Sequence, residues 1–244
     1  MQKAVDLGDW NREKIEHLLS AAGKIPEPGQ RVTFISAAFL ETPYLANSLI
    51  GTAKTAEVFV LRLDGVDCFT LLDYVEALRR TSNFTEFKEM LCRIRYREGQ
   101  VNFLNRNHFF SEWGDGDFTQ LHNVTNLVGG TGILRVEKQL NQKADGTLYL
   151  PGYPVKKREI VFILPEAVNE SVFARLRSGD YVGIYSLEPG LDVSHSGIVV
   201  KKAGKVFLRH ASSRLSLEKV VDEELLPYLG GKKGLIIYRP INKS

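Results

Sequence analysis

The stretch Ser194-His195-Ser196-Gly197-Ile198-Val199-Val200-Lys201-Lys202-Ala203-Gly204-Lys205-Val206-Phe207-Leu208-Arg209-His210 reads as two alternating, β-branched runs joined by a pair of turn residues. That pattern predicts a β-hairpin. With Ala203-Gly204 as the loop, Lys202 faces Lys205, Gly197 faces His210 and His195 faces Ser212. Side chains alternate along a strand, so His195, Gly197, His210 and Ser212 share one face. The two histidines become diagonal neighbours, roughly 7 Å apart at Cβ, with room between them where Gly197 lacks a side chain. A three- or five-residue loop would shift the register and separate them. Either histidine alone also reads as a half-exposed strand residue. The pair can act in series, His210 orienting His195 and leaving a ring nitrogen of His195 to serve as base.

Outward from the hairpin, Arg158 to Leu164, Asp180 to Leu187 and Gly234 to Pro240 are further strand-like runs, with helices expected at Asn169 to Arg177 and Leu217 to Leu229. The first half has a helical period. Asp9 to Ala22 opens on a candidate Asp cap and sets Trp10, Ile15, Leu18 and Leu19 at helical spacing before Gly23 and the Pro26 and Pro28 breaks. Val32 to Leu40 reads as a second helix, and Glu57 to Leu63 as a strand stopped by Asp64-Gly65. From Cys68 to Arg80, Leu71, Tyr74, Val75 and Leu78 fall on one helical face, and Thr85 to Arg95 repeats the pattern. Asn102 to Tyr153, rich in Asn, Gly, Asp and aromatic residues, reads as loops with short helices. Helices gathered early and strands gathered late predict the α+β class. With no repeat or low-complexity linker, residues 1–244 read as one domain, helix-rich over 1–153 and β-rich over 154–244.

Composition removes several function classes. The 244 residues are 43% hydrophobic and 25% charged, enough to bury a core without a disulfide framework or structural metal. A formal charge of +3, spread along the chain, gives no footprint for a nucleic-acid partner. The longest apolar runs, such as Ile160 to Leu164, fall far short of the ~20 residues that span a bilayer. The opening residues MQKAVDLGDW lack the succession of regions that marks an export signal.

The candidate nucleophile lies in Asp67-Cys68-Phe69-Thr70, where the strand ending at Leu63 passes into the next helix. Asp67 as N-cap puts Cys68 in the first turn, where free N–H groups and the helix dipole lower a thiol pKa and can hold an oxyanion. A buried structural Cys, or a bridge to Cys92, is the competing reading. Cys92, among Met90, Leu91 and Ile94, reads as core packing. Arg93, Arg95, Arg97 and Arg106, interleaved with Tyr96, Phe103 and Phe109, could suggest single-stranded nucleic acid. The mild overall charge speaks against that. The bland alternative is ion pairing of these arginines with Glu98 and Glu112. Asp115-Gly116-Asp117 near His108 and His122 lacks any metal-ligand spacing, so no metal and no cofactor is expected. As an acid–base pair for glycoside hydrolysis the same aspartates are too close in sequence and sit in a turn.

Cysteine first, then a strand-borne His-x-Gly and a polar residue on the following strand, resembles the NlpC/P60 cysteine peptidase superfamily. Pro43-Tyr44, Asp67 to Thr70, Arg95 to Gly99, Asn105 to Trp113, Gly190 to Gly197 and His210 to Ser213 together look like its DUF1460 family, over about residues 10–240. The resemblance implies a papain-like core, in which a helix carrying Cys68 packs on an antiparallel sheet or small barrel, with an enlarged helical N-terminal half. It implies a Cys68, His195, His210 triad, with Tyr44, Asp192, Ser194 and Ser212 joining Arg97, Arg106, His108 and Trp113 around substrate. The implied activity is hydrolysis of the amide between the lactyl group of N-acetylmuramic acid and L-Ala in peptidoglycan fragments, by an exported protein. Cleavage at the D-glutamyl linkage to a diamino acid, acyl transfer from the same thioester, and binding of wall fragments without turnover stay open at this point.

Overall fold

A computed structural model describes residues 3–116 and 118–242. The elements in chain order are β1 (Lys3–Asp6), α1 (Arg12–Gly23), α2 (Pro28–Ala37), β2 (Phe59–Arg62), α3 (Cys68–Arg79), α4 (Phe84–Arg95), α5 (Phe110–Gly114), β3 (Leu121–Asn123), α6 (Thr125–Gly129), β4 (Ile133–Leu140), β5 (Lys156–Ile163), α7 (Glu170–Arg175), β6 (Tyr181–Tyr185), β7 (Val193–Lys202), β8 (Lys205–Ala211), β9 (Val220–Glu224), α8 (Leu225–Tyr228) and β10 (Leu235–Pro240). β1 and β2 form a small parallel pair. A large antiparallel sheet runs β4-β5-β10-β6-β7-β8-β9, and β3 also pairs with β10.

Both faces of the sheet's centre are covered, which explains why β6 and β10 are buried along their whole length. Tyr181, Ile198, Ile236 and Tyr238 pack on one face with Leu71, Leu72 and Val75 of α3, Ile15 of α1 and Val32 of α2. Val182, Val199, Leu208 and Ile237 pack on the other with Val128 of α6, Val172 of α7 and Leu225 of α8. The hairpin has the expected two-residue loop: Lys202 pairs with Lys205 and Ile198 with Arg209. Ala203 at φ 49° and Gly204 at φ 74° both take the left-handed backbone that such a turn demands.

Several sequence expectations change. α1 is capped by Asn11, whose side chain accepts from Lys14 N–H, and not by Asp9. Pro28 opens α2 instead of breaking a helix, because a first-turn residue needs no N–H. The segment read as loops contains β4, the long outer strand; its mixed polar pattern reflects exposure of much of the strand. Leu217 to Leu229 is not one helix: β9 pairs with β8 and only α8 is helical.

Gly197 also has a different task from the one its sequence suggested. A Cβ there would lie 2.7 Å from Leu208 Cδ1 and 2.8 Å from Arg209 O, so β8 and Leu208 fill the space. Gly197→Ala is expected to cost about 1–3 kcal/mol by overpacking, seen as a lower urea midpoint at unchanged slope.

Candidate active site

Cys68 is the first residue of α3, and Asp67 prepares its place. Asp67 Oδ1 accepts from Phe69 N–H at 2.9 Å and Thr70 N–H at 2.7 Å, while Thr70 Oγ1 accepts from Asp67 N–H at 2.9 Å. This capping box fixes the turn and consumes two first-turn donors, leaving the Cys68 N–H uncommitted to the cap. Ser196 joins this turn to β7: its hydroxyl donates to the Cys68 carbonyl at 2.9 Å. The Ser196 hydroxyl and N–H also lie within hydrogen-bonding reach of the sulfur.

One residue before Ser196, His195 points away toward β8. Its Nε2 lies 2.7 Å from His210 Nδ1, and His210 Nε2 lies 2.8 Å from Glu223 Oε2. Proton counting along this chain is unambiguous for neutral rings. The carboxylate can only accept, so His210 carries its proton on Nε2 and offers Nδ1 as acceptor. His195 therefore donates from Nε2 and keeps Nδ1 unprotonated, the form a general base requires. Glu223 is itself clamped by Arg214. Tyr228 of α8 packs on both rings, with centroids 5.1 Å from His210 and 6.3 Å from His195, and its pKa is raised by burial, then by the Glu223 charge and by any thiolate at Cys68.

Beside Asp67 opens a cleft of about 770 Å³, walled by Leu49, Phe103, Arg106, His108, Tyr149 and Leu150. That volume suits a sugar or a short peptide. His108 donates to the Phe103 carbonyl at 2.8 Å, and burial brings its pKa down to about 4, so it contributes a neutral wall. Arg106 is held by Glu57 Oε2 at 2.8 Å and Gly51 O at 2.9 Å.

Residues 34–235 match the profile of the AmiA-like family, described as N-acetylmuramoyl-L-alanine amidase-like. The chain belongs to this family. The fold is shared with a Legionella pneumophila protein of the DUF1460 family at TM-score 0.78, with 23% identity over 94% of this chain and 96% of that one. A Bacteroides uniformis N-acetylmuramoyl-L-alanine amidase superposes at TM-score 0.74, with 24% identity over 88% of this chain and 99% of that one. No match was found among curated proteins.

In this AmiA-like chain the thiol is not poised as the sequence suggested. Burial, then the neighbouring Asp67 carboxylate, push the Cys68 thiol up to about 11, against the help it receives from Ser196. Burial, with the charges of His210 and Lys232, brings His195 down to about 3. The resting site holds a neutral thiol and a neutral imidazole. Among the described residues no hydrogen bond joins the sulfur to His195; Ser196 is its partner.

The other sequence-nominated residues divide. Tyr44 lies close enough to Cys68 and Asp67 for their charges to raise its own pKa, after burial; Arg106 and His108 line the cleft. Arg97 is bonded to the Tyr153 hydroxyl at 3.1 Å and to the Leu104 carbonyl, away from the cleft walls. Trp113 is fully buried, its indole donating to Asp73, so it cannot pack on a bound sugar. Asp192 is buried too, accepting from Ser111 and Val193 N–H groups, which makes it a clamp for the start of β7. Ser194 is exposed, with its hydroxyl 3.4 Å from Ile184 O; Ser212 is buried beyond β8 and tied to Lys219 O. Cys92 is half-buried in α4, donating to Gly99 O. Asp115 pairs with Arg158, His122 is exposed, and Asp117 lies outside the described residues. Among the described residues no cluster of three metal-ligating side chains forms.

Ser196, Glu223, Arg214, Tyr228 and Lys232 escaped the sequence reading. Ser196 was visible as the neighbour of His195. Glu223 was hidden by the helix expected there, since only a strand paired with β8 carries it to His210.

Asp67→Asn keeps the capping oxygen and removes the charge that disfavours the thiolate. The expected result is a lower Cys68 pKa, read as faster iodoacetamide alkylation at pH 8, with stability changed by no more than about 0.5 kcal/mol. Unchanged alkylation would exclude the Asp67 charge as a cause.

Proposed function

We propose that the chain is a cysteine-dependent N-acetylmuramoyl-L-alanine amidase with a papain-like, NlpC/P60 arrangement, acting as one domain on peptidoglycan fragments in the cell envelope. The observation that carries this reading is Cys68 at a capped helix start, stitched by Ser196 to the strand whose His195 is held in a single tautomer. The family match supplies the amide-hydrolysing chemistry.

The reaction runs from the neutral pair. As Cys68 Sγ attacks the lactyl carbonyl carbon, its proton passes to His195 Nδ1, and the developing oxyanion takes the Cys68 N–H that Asp67 leaves uncommitted. Tyr44 is the candidate second donor, because its hydroxyl shares the surroundings of the sulfur. His195 then gives that proton to the nitrogen of L-Ala, the C–N bond breaks, and a thioester holds the muramoyl group. A water deprotonated by His195 attacks the thioester, releasing the sugar acid and restoring the thiol. Through both half-reactions the His210–Glu223 pair stabilises the His195 imidazolium and keeps its Nε2 turned inward. The cleft beside Asp67 takes the muramoyl side, its Phe103 and Tyr149 rings offering apolar faces to the sugar.

Chelator-treated protein incubated with N-acetylmuramoyl-L-Ala-D-Glu-diamino acid tripeptide is expected to release free muramic sugar and intact tripeptide by mass spectrometry, and Cys68→Ala to release neither. Release of muramoyl dipeptide instead would move the bond to the D-glutamyl linkage. No cleavage by either protein would favour binding without turnover.

Glu223→Gln removes the charge behind His210 while keeping a hydrogen-bonding group. The expected outcome is a kcat lowered about 10- to 100-fold, within the usual range for acid–base support, with KM nearly unchanged. Glu223 raises the pKa of His210, so losing it should move the acid limb of the kcat/KM profile to lower pH. A proportional loss at every pH would mean a merely structural role.

A further inference from the structure

One cation beside the histidine chain has no part in the mechanism above. Lys232 lies in the Gly230-Gly231-Lys232-Lys233-Gly234 loop between α8 and β10, where its backbone N–H donates to Leu229 O at 2.9 Å. Its ammonium sits 5.0 Å from the centroid of the Tyr228 ring, the same ring that packs on His210 and His195. Among the described residues no carboxylate neutralises it. Its field nevertheless reaches both histidines, opposing protonation of each. Arg214, more exposed, adds a second positive group on this side through its pair with Glu223. A half-buried, unneutralised charge that hinders a general base is costly for catalysis unless substrate supplies the counter-charge.

The chemistry says which half of the substrate comes here. The leaving nitrogen must meet the acid that protonates it, so the amine-bearing half departs past His195, while the acyl half stays on the side of Cys68 and the cleft at Asp67. In a muramoyl peptide the amine-bearing half is the stem peptide. Its second residue, D-Glu joined through its side chain, carries a free main-chain carboxylate roughly 6 Å from the scissile nitrogen. We propose that Lys232 binds this carboxylate, so that the site selects muramoyl peptides whose second residue is anionic. The proposal rests on the amidase reading above and assigns its leaving-group subsite. An incoming carboxylate would also offset the field of Lys232 at His195, linking recognition to the basicity of the catalytic ring.

The test pairs two substrates with three proteins. The substrates are N-acetylmuramoyl-L-Ala-D-Glu-diamino acid and its counterpart with the D-Glu main-chain carboxylate converted to a carboxamide; the proteins are wild type, Lys232→Met and Lys232→Arg. Wild type should lose about fivefold in kcat/KM on amidation, the scale of a partly exposed ion pair. Lys232→Met should lose a similar factor on the carboxylate substrate and become indifferent to amidation, with Lys232→Arg restoring most of the discrimination. Turnover of the carboxamide by Lys232→Met shows that the variant is folded. Equal sensitivity to amidation in wild type and Lys232→Met overturns the subsite and leaves the amidase reading standing. Cleavage of neither substrate by wild type overturns the amidase reading, and the subsite with it.

Discussion

The hydrogen bond from Ser196 Oγ to the Cys68 carbonyl, 2.9 Å long, fastens the first turn of α3 to the start of β7. The geometry of the candidate site depends on that junction. α3 buries Leu71, Leu72 and Val75 against the sheet face that carries Ile198, and this packing fixes the helix axis but not where its first turn ends. Ser196 fixes that end. Because successive residues of a strand point to opposite faces, the same strand start that grips Cys68 through Ser196 sends His195 the other way, to His210 and Tyr228. Cys68 and His195 are thus tied to one strand start through adjacent residues, where the β6–β7 ladder shifts register between Ile184 and Tyr185.

That end is held from outside the site as well. Lys138, on β4, donates to the carbonyls of Ser186, Glu188 and Leu191 at 2.5–2.8 Å and so pins the loop that leads into β7. Burial lowers the pKa of this ammonium to about 8, while its three acceptors satisfy its three donors. Asp192, next in the chain after Leu191, accepts from Val193 N–H at 2.8 Å and from Ser111 N–H at 2.7 Å. The outer strand β4, which carries no reacting group, therefore acts on the site by positioning it.

The hairpin and the helix cap were legible because both rest on local rules. Turn chemistry at Ala203-Gly204 fixes the register, and the Asp67 to Thr70 spacing fixes the cap. What failed were segments whose conformation is imposed from a distance. β4 alternates poorly because much of it faces water, and only its pairing with β5 makes it a strand. Residues 220–224 have enough apolar and acidic side chains to pass for helix, yet the open edge of β8 takes them as β9, and with that choice Glu223 arrives at His210. Trp113 and Asp192 looked like binding residues for their chemistry, and burial removed both from reach of a ligand.

By itself the sequence determined the local frames of the two candidate residues: Cys68 behind its Asp67 cap, and His195 two residues before Gly197 in a hairpin of fixed register. These follow from short-range geometry, in which each residue constrains the next few. Only the tertiary structure decided their ionisation and their support. Burial is a property of everything packed around a group, so the rise of the Cys68 thiol and the fall of His195 could not be read from neighbours in the chain. The tautomer of His195 likewise depends on a carboxylate from β9, brought beside His210 by strand pairing, because a proton's place on an imidazole is chosen by whatever partner the fold brings to the other nitrogen.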